Sequence, residues 1–148
     1  MDQRQRNASA SAGDSPVSGF AALVPELDVT DLNVSLKFWC EMLGFEIAYA
    51  RPAANFVYLQ REAIQVMLCQ INGEWMTGRL EPPFGRGINF QMTIKNLDTV
   101  VSSLEKHGWP LFRPVQEKTY QVGSKCLKSL ECLVQDPDGY LIRFAQHS

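Results

Sequence analysis

The chain contains no apolar run approaching the ~18 residues that a membrane-spanning helix needs, so no helical span is expected. It has no basic surplus either. Its 14 Lys and Arg against 16 Asp and Glu leave a formal charge of −2 over 148 residues. That balance argues against sequence-independent nucleic-acid binding and against polybasic attachment to a membrane surface. Histidine is scarce: His107 and His147 are the two, and neither has a carboxylate partner by local sequence. The four cysteines, Cys40, Cys69, Cys126 and Cys132, form no Cys-x-x-Cys pair. Spacing therefore offers no zinc site, and the thiols read as free core or strand residues. Cys126, flanked by Lys125 and Lys128, has the one setting that would lower a thiol pKa, yet a solvated strand position is the simpler reading. The first twenty residues lack the apolar segment of a secretory signal, so a solvated N-terminal tail (1–20) and a cytoplasmic setting are expected.

What the chain does have is 45% hydrophobic residues, enough for one domain of ordinary size, and an internal repeat. Residues 22–45, ALVPELDVTDLNVSLKFWCEMLGF, slide onto residues 87–109, GINFQMTIKNLDTVVSSLEKHGW, with a shift of 65 positions. Leu27 then meets Met92, Val29 meets Ile94 and Leu32 meets Leu97. After one residue is dropped in the helix, Gly44 meets Gly108 and Phe45 meets Trp109. Each copy has an alternating strand, an Asx residue, a helical pattern, a glycine and an aromatic. Leu23, Leu27 and Val29 share one strand face, Val24, Glu26 and Asp28 the other. Asp31 is placed to cap the first helix, whose apolar stripe reads Val34, Phe38 and Met42, widened by Leu36, Trp39 and Leu43. Gly44 and Gly108 suit the left-handed position after each helix. In the second helix Leu97, Val100, Val101 and Leu104 form the stripe.

Strand-like segments follow each helix, at 45–50, 55–60 and 64–70 in the first copy and at 110–118, 126–135 and 140–146 in the second. Asp136-Pro137-Asp138-Gly139 is a turn before the last of them. The Gly- and Pro-rich stretch between the copies reads as a linker. The expected organisation is one α+β domain over 21–148, with module 1 at 21–71, a linker at 72–86 and module 2 at 87–147. Each module is a βαβββ unit.

The duplicated module, the DLNVSLKFWCEMLGF segment and the terminal QDPDGYLIRF resemble the vicinal oxygen chelate superfamily of glyoxalases, bleomycin-resistance proteins and dioxygenases. FGRGINFQ, YQVGSK and LVQDPDGYLIRFAQ are most similar to its bleomycin-resistance-like branch. The resemblance implies two tandem modules whose curved mixed sheets surround a cleft, the glyoxalase/bleomycin-resistance fold. Enzymes of the superfamily hold a divalent metal with four side chains. Carried over, those positions are Val24, Met67, Asn89 and Arg143. Valine has no donor atom, methionine is a soft ligand, and a guanidinium keeps its proton and repels a cation. No metal, cofactor or catalytic constellation is therefore expected. The alternative is a metal-dependent glyoxalase-, lyase- or dioxygenase-like enzyme with its ion held elsewhere.

Strand parity puts Val24, Glu26, Asp28, Gln65, Met67, Asn89, Gln91 and Arg143 on the lining; all of these but Val24, with the rim aromatics Tyr49, Phe56, Tyr58 and Phe112, make the expected ligand-binding set. Trp75, Trp109 and Tyr120 are further aromatic candidates for the rim. Such a lining suits a small molecule, and the resemblance implies an aromatic, cationic antibiotic held by sequestration, hence antibiotic resistance. A homodimer is expected as well, with an arm around Tyr120–Leu130 reaching over the cleft and linker aromatics Trp75 and Phe84 covered at an interface.

Overall fold

A computed structural model describes residues 11–148. The first half of the expected tail lies outside the described residues. The chain divides into two compact units, up to Leu80 and from Glu81.

The first unit is built on a five-stranded sheet in the order β1-β3-β4-β5-β2. Its strands are β1 (Ala12–Gly13), β2 (Glu26–Val29), β3 (Glu46–Arg51), β4 (Phe56–Arg61) and β5 (Ile64–Gln70). β2 runs parallel to β5, which requires a crossover, and the helix that follows β2 supplies it. Asp31 caps α1 (Leu32–Leu36) as its sequence position implies, accepting from the amides of Asn33 at 2.9 Å and Val34 at 3.3 Å.

The helix then departs from expectation. Residues Lys37–Met42 form a π-helical turn, in which the Leu43 amide donates to the Phe38 carbonyl five residues back. A π turn absorbs one extra residue, which is the residue by which the first copy's helix exceeds the second. Ser35, Phe38, Trp39, Met42 and Leu43 are buried, whereas Val34, expected in the stripe, is exposed. Leu23 is also exposed and lies ahead of β2. Gly44, at φ 76°, and Gly108, at φ 67°, end their helices in the left-handed region. Leu27, Val29, Val57, Leu59, Val66 and Leu68 form the buried sheet face, and Trp39 meets Phe45 edge-on at 5.2 Å.

Residues 11–20, expected in the solvated tail, are laid along this sheet instead. β1 pairs antiparallel with β3, and Asp14 donates its amide to the Ala48 carbonyl at 3.0 Å. Gly13 is required there: a Cβ would sit 2.3 Å from that carbonyl oxygen. Such a two-residue strand has too little alternation to be read from sequence.

The second unit has a four-stranded sheet, order β6-β9-β8-β7. The strands are β6 (Asn89–Thr93), β7 (Arg113–Val122), β8 (Lys125–Gln135) and β9 (Leu141–His147), with α2 (Asp98–Lys106) between β6 and β7. β6 lies parallel to β9, repeating the βαβββ connectivity. Met92, Val100, Leu104, Cys132, Val134, Ile142 and Phe144 are buried. In the turn before β9, the Asp136 carboxylate accepts from the amides of Asp138 at 3.0 Å and Tyr140 at 2.9 Å. His147 closes β9 opposite Ser129. The fold is thus α+β with two mixed sheets. No helix among the described residues is long and apolar enough to cross a membrane.

Candidate functional site

In the first unit the sheet face opposite Leu27, Leu59 and Leu68 carries Glu26, Asp28, Tyr49, Phe56, Tyr58, Gln65 and Met67, of which Phe56, Tyr58 and Gln65 are buried. Ladder register explains the grouping: Glu26 stands beside Met67, Asp28 beside Cys69, and Tyr49 beside Tyr58 across a β-bulge between Ile47 and Tyr49. The aromatics are packed against one another. Tyr49 and Tyr58 stack at 5.0 Å, Phe20 meets both edge-on, and the Arg51 guanidinium lies over Tyr49 and Phe56 at 5.3 and 5.0 Å.

Gln65 is taken up by the N-terminal segment. Its side-chain oxygen accepts from the Ala21 amide at 2.9 Å and from the Tyr58 hydroxyl, and its nitrogen donates to the Gly19 carbonyl at 2.6 Å. Val24, carried over as a metal position, precedes β2 and packs on the Phe56–Tyr58–Cys69 cluster. Desolvation pushes the carboxyl of Glu26 upward, helped by Asp28 and Glu74 and opposed by Arg51. It also raises Asp28. Cys69 is pushed to about 11 by desolvation, then by Glu26, Asp28 and Glu74, so its sulfur is a thiol at neutral pH. Cys132 is likewise at about 11 by burial.

In the second unit the open sheet face bounds a cavity of about 390 Å³. Three of the expected residues, Asn89, Phe112 and Arg143, line it, and Gln91 touches it through Arg143. Arg113, Lys118, Tyr120 and Glu131 line it as well. Of these, only Tyr120 has a place in the sequence reading. A bulge explains how β7 faces the cavity. Arg113 pairs with Leu133 and Gln116 with Glu131, so three steps on β7 match two on β8. The extra residue returns Gln116, Lys118 and Tyr120 to the same face as Arg113. The alternation Gln116–Lys118–Tyr120 was the available signal, but it crosses the end of a strand expected to stop at 118.

Arg143 is anchored at two ends. Its Nη2 donates to Gln91 Oε1 at 2.8 Å, its neighbour across the parallel ladder, and its Nη1 lies 3.7 Å from Glu131 Oε1. Glu131, with 4% of its surface exposed, also accepts from the Tyr120 hydroxyl at 2.9 Å. That hydrogen bond raises the Tyr120 pKa, with desolvation and the Glu131 charge adding to it. Trp109 donates to the Gln135 carbonyl at 3.0 Å and borders a separate groove with Pro82 and Pro137. Trp75 is exposed, and Phe84 is buried against Tyr140 at 6.0 Å. His107 Nδ1 donates to the Ser103 carbonyl at the end of α2.

These donors do not suit a divalent ion. Gln91 and Glu131, the oxygen donors nearest Arg143, are both engaged with its guanidinium, and a dication there would meet a fixed positive charge. In the first unit Glu26 and Asp28 are joined by a protonated thiol rather than by a third hard donor. Among the described residues no three His, Cys, Asp or Glu side chains stand close enough to share an ion.

The family described as Glyoxalase/Bleomycin resistance protein/Dioxygenase superfamily matches residues 22–144. No curated protein matches the chain at a significant level. Among solved structures, the chain is similar to the virulence protein STM3117 of Salmonella typhimurium at 23% identity, covering 87% of this chain and 98% of that one, with a TM-score of 0.65. TioX from Micromonospora sp. ML1 is 18% identical over 87% of this chain and all (100%) of its own, TM-score 0.68. A glyoxalase/bleomycin resistance protein/dioxygenase superfamily member from Vibrio splendidus 12B01 is 34% identical over 83% of this chain and 95% of that one, TM-score 0.39.

Proposed function

The chain belongs to the glyoxalase/bleomycin resistance protein/dioxygenase superfamily, and from that premise we propose that it is a metal-independent binding protein that captures a small aromatic molecule. Its use would be stoichiometric sequestration, antibiotic resistance of the bleomycin-resistance type, in the cytoplasm. The observation that carries this reading is the Arg143 guanidinium, held by Gln91 and Glu131 on the strand face where enzymes of the superfamily need metal-binding acids. A fixed cation, an aromatic and a half-open cavity of about 390 Å³ bind and orient a ligand but supply no Lewis acid. That volume holds a small aromatic body or one ring system of a larger drug, not a whole glycopeptide.

A homodimer is part of the same reading. β7 is a sheet edge, and its ribbon with β8 exposes Val115, Val122, Leu127 and Leu130. A two-stranded ribbon is marginal alone, and a second copy would cover it. Light scattering at micromolar protein should then give about twice 16.7 kDa.

The binding reading is tested by a thermal-shift screen of bleomycin-type drugs and smaller aromatic antibiotics in EDTA. A ligand at a hundred times its Kd should stabilise the protein by about 2.7 kcal/mol. Stoichiometric Mn, Fe, Ni or Zn in protein purified without chelator, with turnover that depends on it, would overturn the reading in favour of a metal-dependent enzyme.

A further inference from the structure

Resting on the binding reading just given, we propose that the cavity of the second unit selects an anionic ligand: an aromatic body bearing a carboxylate or another oxyanion. The family resemblance implied a cationic ligand instead.

The charges on the cavity wall decide it. Arg113, Lys118 and Arg143 are the cations lining it, and Glu131 is the acid. Glu131 is not free to meet a ligand cation, because its carboxylate is buried and already shared between the Tyr120 hydroxyl and the Arg143 guanidinium. Positive charge is therefore left over on the wall. Arg143 is also incompletely satisfied. Its Nη2 and Nη1 are directed to Gln91 and Glu131, but its Nε is buried with no protein acceptor. A buried donor without a partner is costly, and a guanidinium so placed favours a charge-assisted oxyanion partner in the cavity. Lys118 and Arg113 stand on the same face because of the β7 bulge, so they add two mobile cations at the mouth. Beside them the Arg113 guanidinium lies 5.8 Å from the Phe112 ring, a flat surface on which an aromatic body can stack.

Three near-isosteric probes separate charge from shape: 2-naphthoate, 2-naphthamide and 2-naphthylmethylammonium, titrated calorimetrically into the full chain in EDTA at pH 7. Naphthoate should bind at least about tenfold tighter than the amide, and the ammonium should bind weakest. K118Q and R113Q, both at exposed side chains, should each weaken naphthoate by about two- to fivefold. Each should weaken naphthoate more than it weakens the amide. Raising salt should weaken naphthoate selectively. If the amide or the ammonium binds as tightly as naphthoate, the anion assignment is wrong while small-molecule binding stands. If none of the three binds, the assignment is equally wrong, and the antibiotic screen alone then decides the binding reading.

Discussion

Replacing Gln65 with alanine tests how the N-terminal segment is held. In the folded protein Gln65 is 6% exposed, and its amide joins Ala21 and Gly19 to the hydroxyl of Tyr58. The partners would respond differently to its loss. Ala21 and Gly19 are exposed and can turn to water, so their loss costs little. Tyr58 is 2% exposed, and its hydroxyl would be left buried without its acceptor. An unpaired buried hydroxyl costs about 1–3 kcal/mol, so Gln65→Ala should lose roughly that amount. Removing both partners together is milder, since apolar groups replace them. Gln65→Leu combined with Tyr58→Phe should therefore be closer to wild type than Gln65→Ala. Urea unfolding monitored by fluorescence and circular dichroism measures each variant, with an unchanged m value showing that the denatured state is unaltered. A loss under about 0.5 kcal/mol for Gln65→Ala, or a double variant worse than the single, would refute the clamp.

Three further outcomes follow from the geometry. Trp39→Ala removes a side chain with no exposed surface and should cost about 3–5 kcal/mol by thermal or urea unfolding. Asp31→Ala removes the cap from two amides and should cost about 1 kcal/mol, with Asp31→Asn close to wild type. The Glu26 carboxyl is raised by desolvation first and by Asp28 and Glu74 next. The native state thus holds that proton more tightly than the unfolded chain, so the contribution is fully favourable below the unfolded pKa and is lost as pH rises through the folded one. Glu26→Gln should therefore be more stable than wild type at pH 7, and the difference should vanish in acid, as followed by melting temperature across pH.

Much of the fold is legible because it is written in local chemistry. The Asp31 cap, the glycines ending both helices and the Asp136 turn each depend on residues within a few positions. The repeat then supplies the topology. What escapes are phase changes. The π turn at Lys37–Met42 leaves no mark in the apolar spacing, and ahead of it Ser35 rather than Val34 faces the core. The bulge between Arg113 and Gln116 re-phases β7. Parity counted along β7 without that extra residue puts Arg113 on the face opposite Gln116, Lys118 and Tyr120. Lys118 and Tyr120 lie at and beyond the end of a strand expected to stop at 118, whereas parity put Asn89, Gln91 and Arg143 on one face because β6 and β9 run without a bulge. The pairing of Ala12–Gly13 with β3 depends on a glycine fitting under one carbonyl, a tertiary fit with no periodic trace.

The most direct measurement is a two-dimensional amide NMR titration of the full chain with 2-naphthoate in EDTA. Saturable shifts centred on Asn89, Phe112, Lys118, Tyr120 and Arg143, unchanged by later addition of Mg or Zn, are the predicted result. Shifts centred on Tyr49, Phe56 and Tyr58, or appearing only once a divalent metal is added, would contradict a metal-free site in the second unit.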